Sequence, residues 1–317
     1  FPASVFPDLQ PRCKPFVHPL FRQPVRIMKV MEERDVMLHF PYHSFDSVID
    51  LLREAAIDPF VQSIHITCYR LAKDSKIVNA LLNALRNGKQ VTVMLELLAR
   101  FDEEANLRWK TRLEEEGATV LLGPPEMKVH AKLCVIKKTE FKKTQYYGFV
   151  STGNLNEHTA QYYTDHCLLT THPGIIADIN RIFMALEQPQ MKTGSLGHCK
   201  VLPVSPVTMR SFFSAQIKKE IKLAKKNNDV SVLLKMNSLS DTALIEDLYE
   251  AAKAGVPVRM IIRGICCAYT RHKTFKRNIE AISIIDEYLE HGRIFVFGSG
   301  ERQQMYISSA DWMVRNL

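Results

Sequence analysis

Residues 74–97, DSKIVNALLNALRNGKQVTVMLEL, contain one unit of a fold: an amphipathic helix, a glycine and a β-branched strand. Residues 241–264, DTALIEDLYEAAKAGVPVRMIIRG, repeat this order, and Asp74 to Gly88 spans the same distance in sequence as Asp241 to Gly255. A repeat of this kind predicts two similar halves of one fold with a site between them. Chance similarity between two amphipathic helices is the alternative.

Further elements extend each unit. The first series adds helices at 45–58 and 103–117 and strands at 61–70, 118–123 and 131–138, and the second adds a helix at 278–292 and strands at 230–236, 293–298 and 304–310. Short strands that alternate with longer helices predict βαβ units, a mainly parallel sheet and the α/β class. We therefore expect a proline-rich linker over 1–35, a first domain over 36–190 and a second over 200–317 that is truncated at its C-terminus.

Composition narrows the class of protein. The 317 residues include 46% hydrophobic residues, enough for a sizeable core, and 42 lysines and arginines against 34 acidic residues give a net charge of +8. An excess of positive charge favours a polyanionic partner, such as nucleic acid, an anionic membrane or a phosphate-rich substrate. No run approaches the ~18 apolar residues that a membrane span needs.

The cysteines predict a cellular location, and the chain ends predict that the sequence is a fragment. Seven cysteines, with Cys266 and Cys267 adjacent, do not form an even framework for a disulfide-rich secreted domain, so we expect a cytoplasmic protein. The chain starts without Met in a proline-rich stretch and ends directly after a strongly patterned segment. We therefore expect a fragment of a longer protein.

The chemistry-bearing motif is MKVHAKLCVI, residues 127–136, followed by FVSTGNLN, residues 149–156. Alternation along a strand directs His130 and Lys132 to one face, and the Gly153–Asn154 turn ends the next strand nearby. An imidazole, an ammonium group and an amide together can act on a phosphate as nucleophile, charge neutraliser and hydrogen-bond donor. A lone His-x-Lys is more often a solvated pair, but the duplicated fold and the Gly-Asn turn favour the phosphate interpretation.

These motifs in a doubled fold resemble the phospholipase D superfamily, although the acidic residue that usually follows the lysine is absent. The chain is also similar to the catalytic C-terminal half of polyphosphate kinases. That resemblance covers nearly the whole chain from about residue 33 and rests on long strings in the family's order: ERDVMLHFPYHSF, KVHAKL, STGNLN, YYTDHCLLT, KMNSLSD, LYEAAKAGVPVRMIIRGICC, YLEHGRIFVF and SSADWMVRNL.

The resemblance implies residue roles. His130 takes the γ-phosphoryl group of ATP, and His291 is a second active-site histidine that donates a proton or contacts phosphate, with Arg293 acting beside it as Lys132 acts beside His130. Further roles implied by the resemblance are nucleotide contact for Tyr163 and Arg263 and association with Mg²⁺, through phosphate oxygens, for Arg70 and Arg100. The strand after His291 aligns better with residues 117–123 than with the strand after His130, so we expect His291 to lie one strand earlier than a strict repeat would place it.

The function implied by the resemblance is reversible transfer of the ATP γ-phosphate to a polyphosphate chain, with Mg²⁺ as cofactor and ATP, ADP and polyphosphate as partners. A homo-oligomer with peripheral membrane association is also implied for the full-length protein, and nucleic acid is not expected as a partner. Two alternatives stay open: a phospholipase D-like phosphodiesterase or nuclease, and a nucleic-acid-binding module without catalysis. The basic run 271–277 is either a contact for an anionic substrate or a solvated loop.

Overall fold

The computed structural model describes residues 14–96, 103–124, 127–188, 193–226 and 228–317. Two sheets, each with helices packed on it, form the two halves of the chain. Among the described residues, no helix combines the length and the apolar character needed to cross a membrane.

The first half is built on a sheet with helices on both faces. Its elements, in chain order, are α1 (Ile27–Glu33), β1 (Val36–Phe40), α2 (Asp46–Ile57), β2 (Val61–Cys68), α3 (Lys76–Arg86), β3 (Gln90–Leu95), α4 (Glu103–Glu115), β4 (Thr119–Leu122), β5 (Leu133–Glu140), β6 (Lys143–Ser151), β7 (Tyr163–Thr170) and α5 (Pro173–Leu186). Alternate residues of β5 separate the two faces, because Cys134 and Ile136 join the core beneath α2 and α3, whereas Leu133 and Val135 join the core beneath α5. Helix α1 occupies part of the stretch that we expected to be linker.

The second half repeats this plan in a smaller form. Its elements are α6 (Met209–Ala224), β8 (Val232–Met236), α7 (Thr242–Ala254), β9 (Val258–Ile262), β10 (Glu280–Ile282), β11 (Leu289–Glu290), β12 (Arg293–Phe297) and β13 (Gln304–Ser308). The core of this half includes residues of α6, α7 and the central strands, with Trp312 fully buried among them.

The prediction of a mainly parallel sheet is wrong. The first sheet has the order β1-β7-β6-β5-β2-β3-β4, and only β2-β3 and β3-β4 are parallel in that path. The second has the order β10-β9-β8-β12-β13, with parallel pairs on one side of β8 and antiparallel pairs on the other. Hairpins such as β5-β6 account for the difference, because directly connected strands pair antiparallel.

The duplication itself is confirmed. Helices α3 and α7 each connect two parallel strands, and each starts at a side chain that caps its first turn, Ser75 in one half and Asp241 in the other. Gly88 and Gly255 follow these helices with φ of 75° and 89°, a left-handed conformation that glycine adopts without a steric penalty. The predicted α/β class with two similar halves is therefore correct.

The helix predicted over 278–292 does not form. This segment instead forms β10, which pairs with β9 at the edge of the second sheet, and β11, which pairs with β7 of the first sheet. Ile279 joins the core of the second half, but Ile282 and Ile285 are 60% and 91% exposed, so these two positions of the apolar spacing do not face a core. Residues 280–282 and 289–290 make backbone hydrogen bonds to two different sheets in place of those that a helix would make.

Candidate active site

The two histidines occupy equivalent positions in the two halves. His130 lies just before β5, which pairs with β2 and β6, and His291 lies just before β12, which pairs with β8 and β13 in the same manner. Lys132 and Arg293 are equivalent in the same way. The backbone N–H of Ser151 on β6 donates to the Lys132 carbonyl oxygen, and Ser308 on β13 lies opposite Arg293. The expectation that His291 lies one strand earlier is therefore wrong, because pairing partners rather than string similarity define the repeat.

His130 has a defined tautomer. Its Nδ1 lies 3.0 Å from the carbonyl oxygen of Ser309, which is in the other half of the chain, and its ring meets the Tyr69 ring edge-on at 4.8 Å. A carbonyl oxygen only accepts, so Nδ1 carries the hydrogen and Nε2 keeps its lone pair. Burial, followed by the nearby charges of Lys132 and Arg293, lowers the pKa of His130 to about 2. His130 is therefore a neutral imidazole with a free Nε2.

Lys132 is the buried cation of the first half. Its side chain is 1% exposed, its Nζ donates to the carbonyl oxygen of His130 at 2.6 Å, and Nζ also lies 5.0 Å from the centre of the Tyr69 ring. Burial and the positive charges of Arg293 and Arg70 hold the pKa of Lys132 well below its usual range. A charged phosphate brought to this position would relieve that unfavourable concentration of positive charge.

His291 is held by a carboxylate from the first half. Its Nδ1 lies 2.7 Å from Oδ2 of Asp165, and Thr164 accepts a hydrogen bond from the His291 backbone N–H. The pairing of β11 with β7 brings these residues together across the two sheets. Burial lowers the pKa of His291, while the Asp165 carboxylate acts in the opposite direction.

Arg293 joins His291 to a second carboxylate. Its Nε and Nη2 donate to the two carboxylate oxygens of Asp311 at 3.2 and 3.0 Å, and its Nη1 lies 3.3 Å from Nε2 of His291. Because a guanidinium only donates, Nε2 of His291 accepts here and His291 is neutral. The Arg293 charge holds the pKa of Asp311 below its usual range against the effect of burial.

Asp165 is a site residue that the sequence reasoning missed. It is 4% exposed, accepts from the hydroxyl of Thr152 at 2.6 Å, and retains a lowered pKa through its hydrogen bond to His291. A Cβ at Gly153 would lie 2.1 Å from Oδ2 of Asp165, so the Gly-Asn turn makes room for this carboxylate. The signal available in the sequence was the single acidic residue of the string YYTDHCLLT, residues 162–170.

Arg263 and Tyr163 belong to different halves of the chain, and both lie beside His291. Arg263 Nε donates to Oδ1 of Asn237 at 2.7 Å and to the Glu290 carbonyl oxygen at 2.5 Å, while the Tyr163 ring centre is 5.1 Å from that of His291. Asn237, which was also missed, donates to the His291 carbonyl oxygen at 3.3 Å. Both predicted nucleotide contacts therefore lie at the boundary between the halves.

The three remaining predicted site residues are Arg70, Asn154 and Arg100. Arg70 lies near the site, with Cζ 6.0 Å from the Tyr69 ring centre. Asn154 makes no side-chain hydrogen bond to a described residue, and its Oδ1 is buried. Asp311 occupies the equivalent position in the second half and instead binds Arg293. Arg100 lies outside the described residues, so its predicted role is not addressed by the geometry.

The assembled site is suited to an anion. Lys132, Arg293, Arg263 and the two histidines converge from both halves. Two buried carboxylates, Asp165 and Asp311, are already engaged by His291 and Arg293. Within the described part of the chain, no three His, Cys, Asp or Glu side chains are grouped to hold a metal ion. The geometry thus favours a phosphate that is bound by cations and imidazoles.

Comparison with known proteins identifies the family. The model of "Polyphosphate kinase C-terminal domain 1" matches residues 26–192, and that of "Polyphosphate kinase C-terminal domain 2" matches residues 202–317. Polyphosphate kinases of Escherichia coli K12 and Klebsiella pneumoniae are 43% and 44% identical over 287 residues, which is 90% of this chain and 41% of each relative. The chain thus spans about two fifths of the length of the curated relatives that it matches.

A solved structure shows the same arrangement. The crystal structure of a polyphosphate kinase from Porphyromonas gingivalis matches with a TM-score of 0.85 and 37% identity, covering 96% of this chain and 50% of that one. The sequence, both family models and the fold agree along nearly the whole chain. The chain therefore belongs to the polyphosphate kinase family and corresponds to the C-terminal part of its members.

Proposed function

We propose that this chain is the catalytic portion of an enzyme that transfers the γ-phosphate of ATP reversibly to the end of a polyphosphate chain through a phosphohistidine. The observation that carries this proposal is the hydrogen bond from Nδ1 of His130 to the Ser309 carbonyl oxygen, which leaves the Nε2 lone pair free. A neutral imidazole in a cationic, buried site is suited to nucleophilic attack on a phosphoryl group.

The proposed reaction has two steps. Nε2 of His130 attacks the γ-phosphorus, the new P–N bond forms, and the P–O bond to ADP breaks. The terminal phosphate oxygen of polyphosphate then attacks the same phosphorus, which breaks the P–N bond and restores the neutral imidazole. Nδ1 keeps its hydrogen throughout, because the Ser309 carbonyl oxygen holds it, so the transfer needs no proton from solvent.

The cations stabilise the charge that moves in these steps. Lys132 donates to the His130 carbonyl oxygen and Arg293 donates to Nε2 of His291, so the two cations lie beside the two histidines, where they can stabilise a transferring phosphoryl group. If Nε2 of His291 takes up a proton, it exchanges the hydrogen bond that it accepts from Arg293 for one that it donates to a phosphate oxygen, and the Asp165 carboxylate stabilises the resulting imidazolium. Asn154 supplies a further polar contact from the turn that follows β6.

Substrate binding is assigned to Tyr163, Arg263 and Arg70, which lie around this centre: Tyr163 and Arg263 bind the nucleotide, and Arg70 binds phosphate oxygens. The resemblance assigns the same phosphate-binding role to Arg100. A guanidinium is not a metal ligand, and the described residues do not form a protein cage for Mg²⁺. When bound, Mg²⁺ would be held through the phosphate oxygens that the arginines bind, and it would supply positive charge that neutralises them. In the whole protein we further propose a cytoplasmic, membrane-peripheral location and a homo-oligomeric assembly, in line with the resemblance.

The test is incorporation of label from γ-labelled ATP. We expect acid-labile, base-stable label on the wild-type chain, no label on His130→Ala, and wild-type label on His198→Ala, which removes an exposed histidine. Label that persists in His130→Ala would show that another residue is the nucleophile. ADP-dependent loss of the label, with ATP formation, tests reversibility in the same sample.

A phosphodiesterase is the second candidate, because two histidines that face each other from similar halves also suit hydrolysis of a phosphodiester. Hydrolysis of a phosphodiester substrate by the wild-type chain, without label from γ-labelled ATP, would favour this alternative. The labelling experiment therefore separates the two reactions directly.

A further inference from the structure

Residues 269–277, which we name the basic platform, form an ordered surface next to α7. The Tyr269 ring stacks on that of Tyr249 at 6.2 Å, and the Tyr269 backbone N–H donates to the Tyr249 hydroxyl at 2.8 Å. The Phe275 ring also packs against the Tyr249 ring, with 5.5 Å between the ring centres, and the Arg277 backbone N–H donates to the Ala252 carbonyl oxygen. The segment is therefore held against the helix by its aromatic side chains.

The platform presents positive charge with no acidic counterpart. Its four cations are all exposed, and none forms an ion pair with a described residue: Arg271, Lys273, Lys276 and Arg277. Two acidic residues of the neighbouring elements α7 and β10 pair with other cations, Glu250 with Lys253 at 2.7 Å and Glu280 with Arg259 at 3.1 Å. A rigid surface with four unpaired cations attracts a polyanion.

The platform is connected to the site by a short, anchored segment. The Gly264 N–H donates to the Asn237 carbonyl oxygen at 2.8 Å, and the Cys267 N–H donates to Leu239 at 2.9 Å. Seven residues lie between Arg263 and Arg271, and the eight steps along the chain limit the distance between them to about 29 Å. A linear polyanion whose end lies beside Arg263 is therefore within reach of the platform.

We propose that the basic platform is a secondary binding surface for the distal part of a long polyphosphate chain whose end occupies the site between the halves. This inference rests on the proposed function. Polyphosphate fits better than a membrane because Tyr269 and Phe275 both pack on the Tyr249 ring and the rest of the platform has no apolar side chain to insert. It fits better than RNA because Tyr269 is the one large aromatic ring of the platform that is exposed, whereas proteins that bind single strands stack successive bases on several rings.

The test compares two variants that lose the same charge. One variant replaces the platform cations by glutamine: Arg271→Gln, Lys273→Gln, Lys276→Gln and Arg277→Gln. The control, named the α6 variant, replaces four exposed lysines in and directly after α6 that form no ion pair with a described residue: Lys219→Gln, Lys222→Gln, Lys225→Gln and Lys226→Gln. Binding of long-chain and short-chain polyphosphate to the 317-residue chain is measured over a range of salt concentrations.

We expect the platform variant to bind long chains about tenfold more weakly, and the slope of log K against log salt to become shallower by about 3, since each phosphate contact contributes about 0.7 for a single-stranded polyanion. Short chains, which fit within the central site, lose much less affinity, and the α6 variant binds long chains like the wild type. The selective loss of long-chain binding is the signature of a secondary surface.

Equal long-chain affinity in the platform variant and the wild type, or an equal loss in the α6 variant, would overturn the inference. So would tighter wild-type binding, at matched salt, to single-stranded RNA or to phosphatidylserine vesicles than to polyphosphate. Labelling of His130 by γ-labelled ATP is measured in parallel. Absence of label in the wild type defeats the proposed function, whereas normal label with unchanged long-chain binding defeats only the role of the platform.

Discussion

The Asp165 carboxylate lies 2.7 Å from Nδ1 of His291, although Asp165 is on β7 of the first half and His291 lies between β11 and β12 of the second half. Neither half has a carboxylate directly after its His-x-Lys or His-x-Arg motif. The carboxylate that binds His291 is Asp165, on a strand of the first half. Because Asp165 accepts from Nδ1, Nε2 of His291 points its lone pair toward Arg293. The orientation of this histidine thus depends on the association of the two halves.

Replacement of Asp165 by asparagine should disturb the His291 tautomer. An amide accepts or donates, so it no longer enforces hydrogen on Nδ1, and the same change of carboxylate to amide in the Ser-His-Asp triad lowers the rate by about 10⁴-fold. We expect Asp165→Asn to slow phosphoryl transfer by about 10²- to 10⁴-fold, measured as label gain and loss on the histidine.

Asp178→Asn is the matched control for that change. Asp178 is also fully buried in the first half, but it accepts backbone hydrogen bonds from Lys200, Val201 and Leu202 rather than from a site residue. We expect a lower melting temperature and an unchanged rate per folded molecule. A rate within about twofold of wild type in Asp165→Asn would show that Asp165 does not position His291.

Replacement of Gly153 by alanine should displace Asp165. The new Cβ would lie 2.1 Å from Oδ2 and 2.7 Å from the Cβ of Asp165, and φ at Gly153 is not positive, so the cost comes from this contact alone. We expect a rate loss close to that of Asp165→Asn and a decrease of about 1–3 kcal/mol in the free energy of unfolding.

Gly194→Ala provides the comparison, because nothing lies within 4 Å of a Cβ built there. It should leave both the rate and the unfolding free energy close to those of the wild type. If Gly153→Ala behaves like Gly194→Ala in urea denaturation and in the labelling assay, the close contact with Asp165 is not a constraint.

Acid should destabilise the fold through His130. The folded-state pKa of about 2 is below the unfolded value near 6.5, so the unfolded chain binds an extra proton below about pH 6.5 and stability falls as pH falls. Between about pH 6.5 and pH 4.5 this costs about 2 kcal/mol. We expect urea denaturation of His130→Asn to show a smaller loss over that range.

His198→Asn, which alters an exposed histidine, should keep the full acid sensitivity of the wild type. Identical slopes of unfolding free energy against pH in His130→Asn and the wild type would contradict the buried, neutral state of His130. The nucleophile itself should stay unprotonated across the same range, so the labelling step should not be lost through protonation of His130.

Thiol reactivity should report the fold around the site. Cys68, Cys134 and Cys167 are fully buried and have raised pKa values, and burial raises the pKa of Cys199 to about 11. Cys266 and Cys267 are exposed. In a Cys13→Ser background, which removes the cysteine outside the described residues, we expect two thiols to react rapidly with a disulfide reagent.

The remaining thiols should react only after denaturation. Cys266→Ser and Cys267→Ser should each remove one rapid equivalent. Four rapid equivalents in the native chain would mean that the sheet of the first half is open to solvent, contrary to the packing of Cys134 and Cys167 within its core.

Local pattern determined much of this protein. The two βαβ units, their capped helices and the His-x-Lys motif at the start of a strand follow from residues close together in sequence, because amphipathic periodicity and capping act over a few residues. The same short-range signals, together with the long matching strings, identified the candidate phosphate chemistry of His130 and Lys132.

Tertiary structure decided the rest, because strand partners are chosen over long sequence distances. Residues 278–292 carry a helical apolar spacing, yet they form strands since two sheets offer them backbone partners. The pairing of β11 with β7 sets Asp165 against His291, and the β12-β13 hairpin sets Asp311 against Arg293. The sequence by itself determined which groups can act on phosphate, and only the folded chain decided their partners and protonation states, because burial and long-range contacts set both.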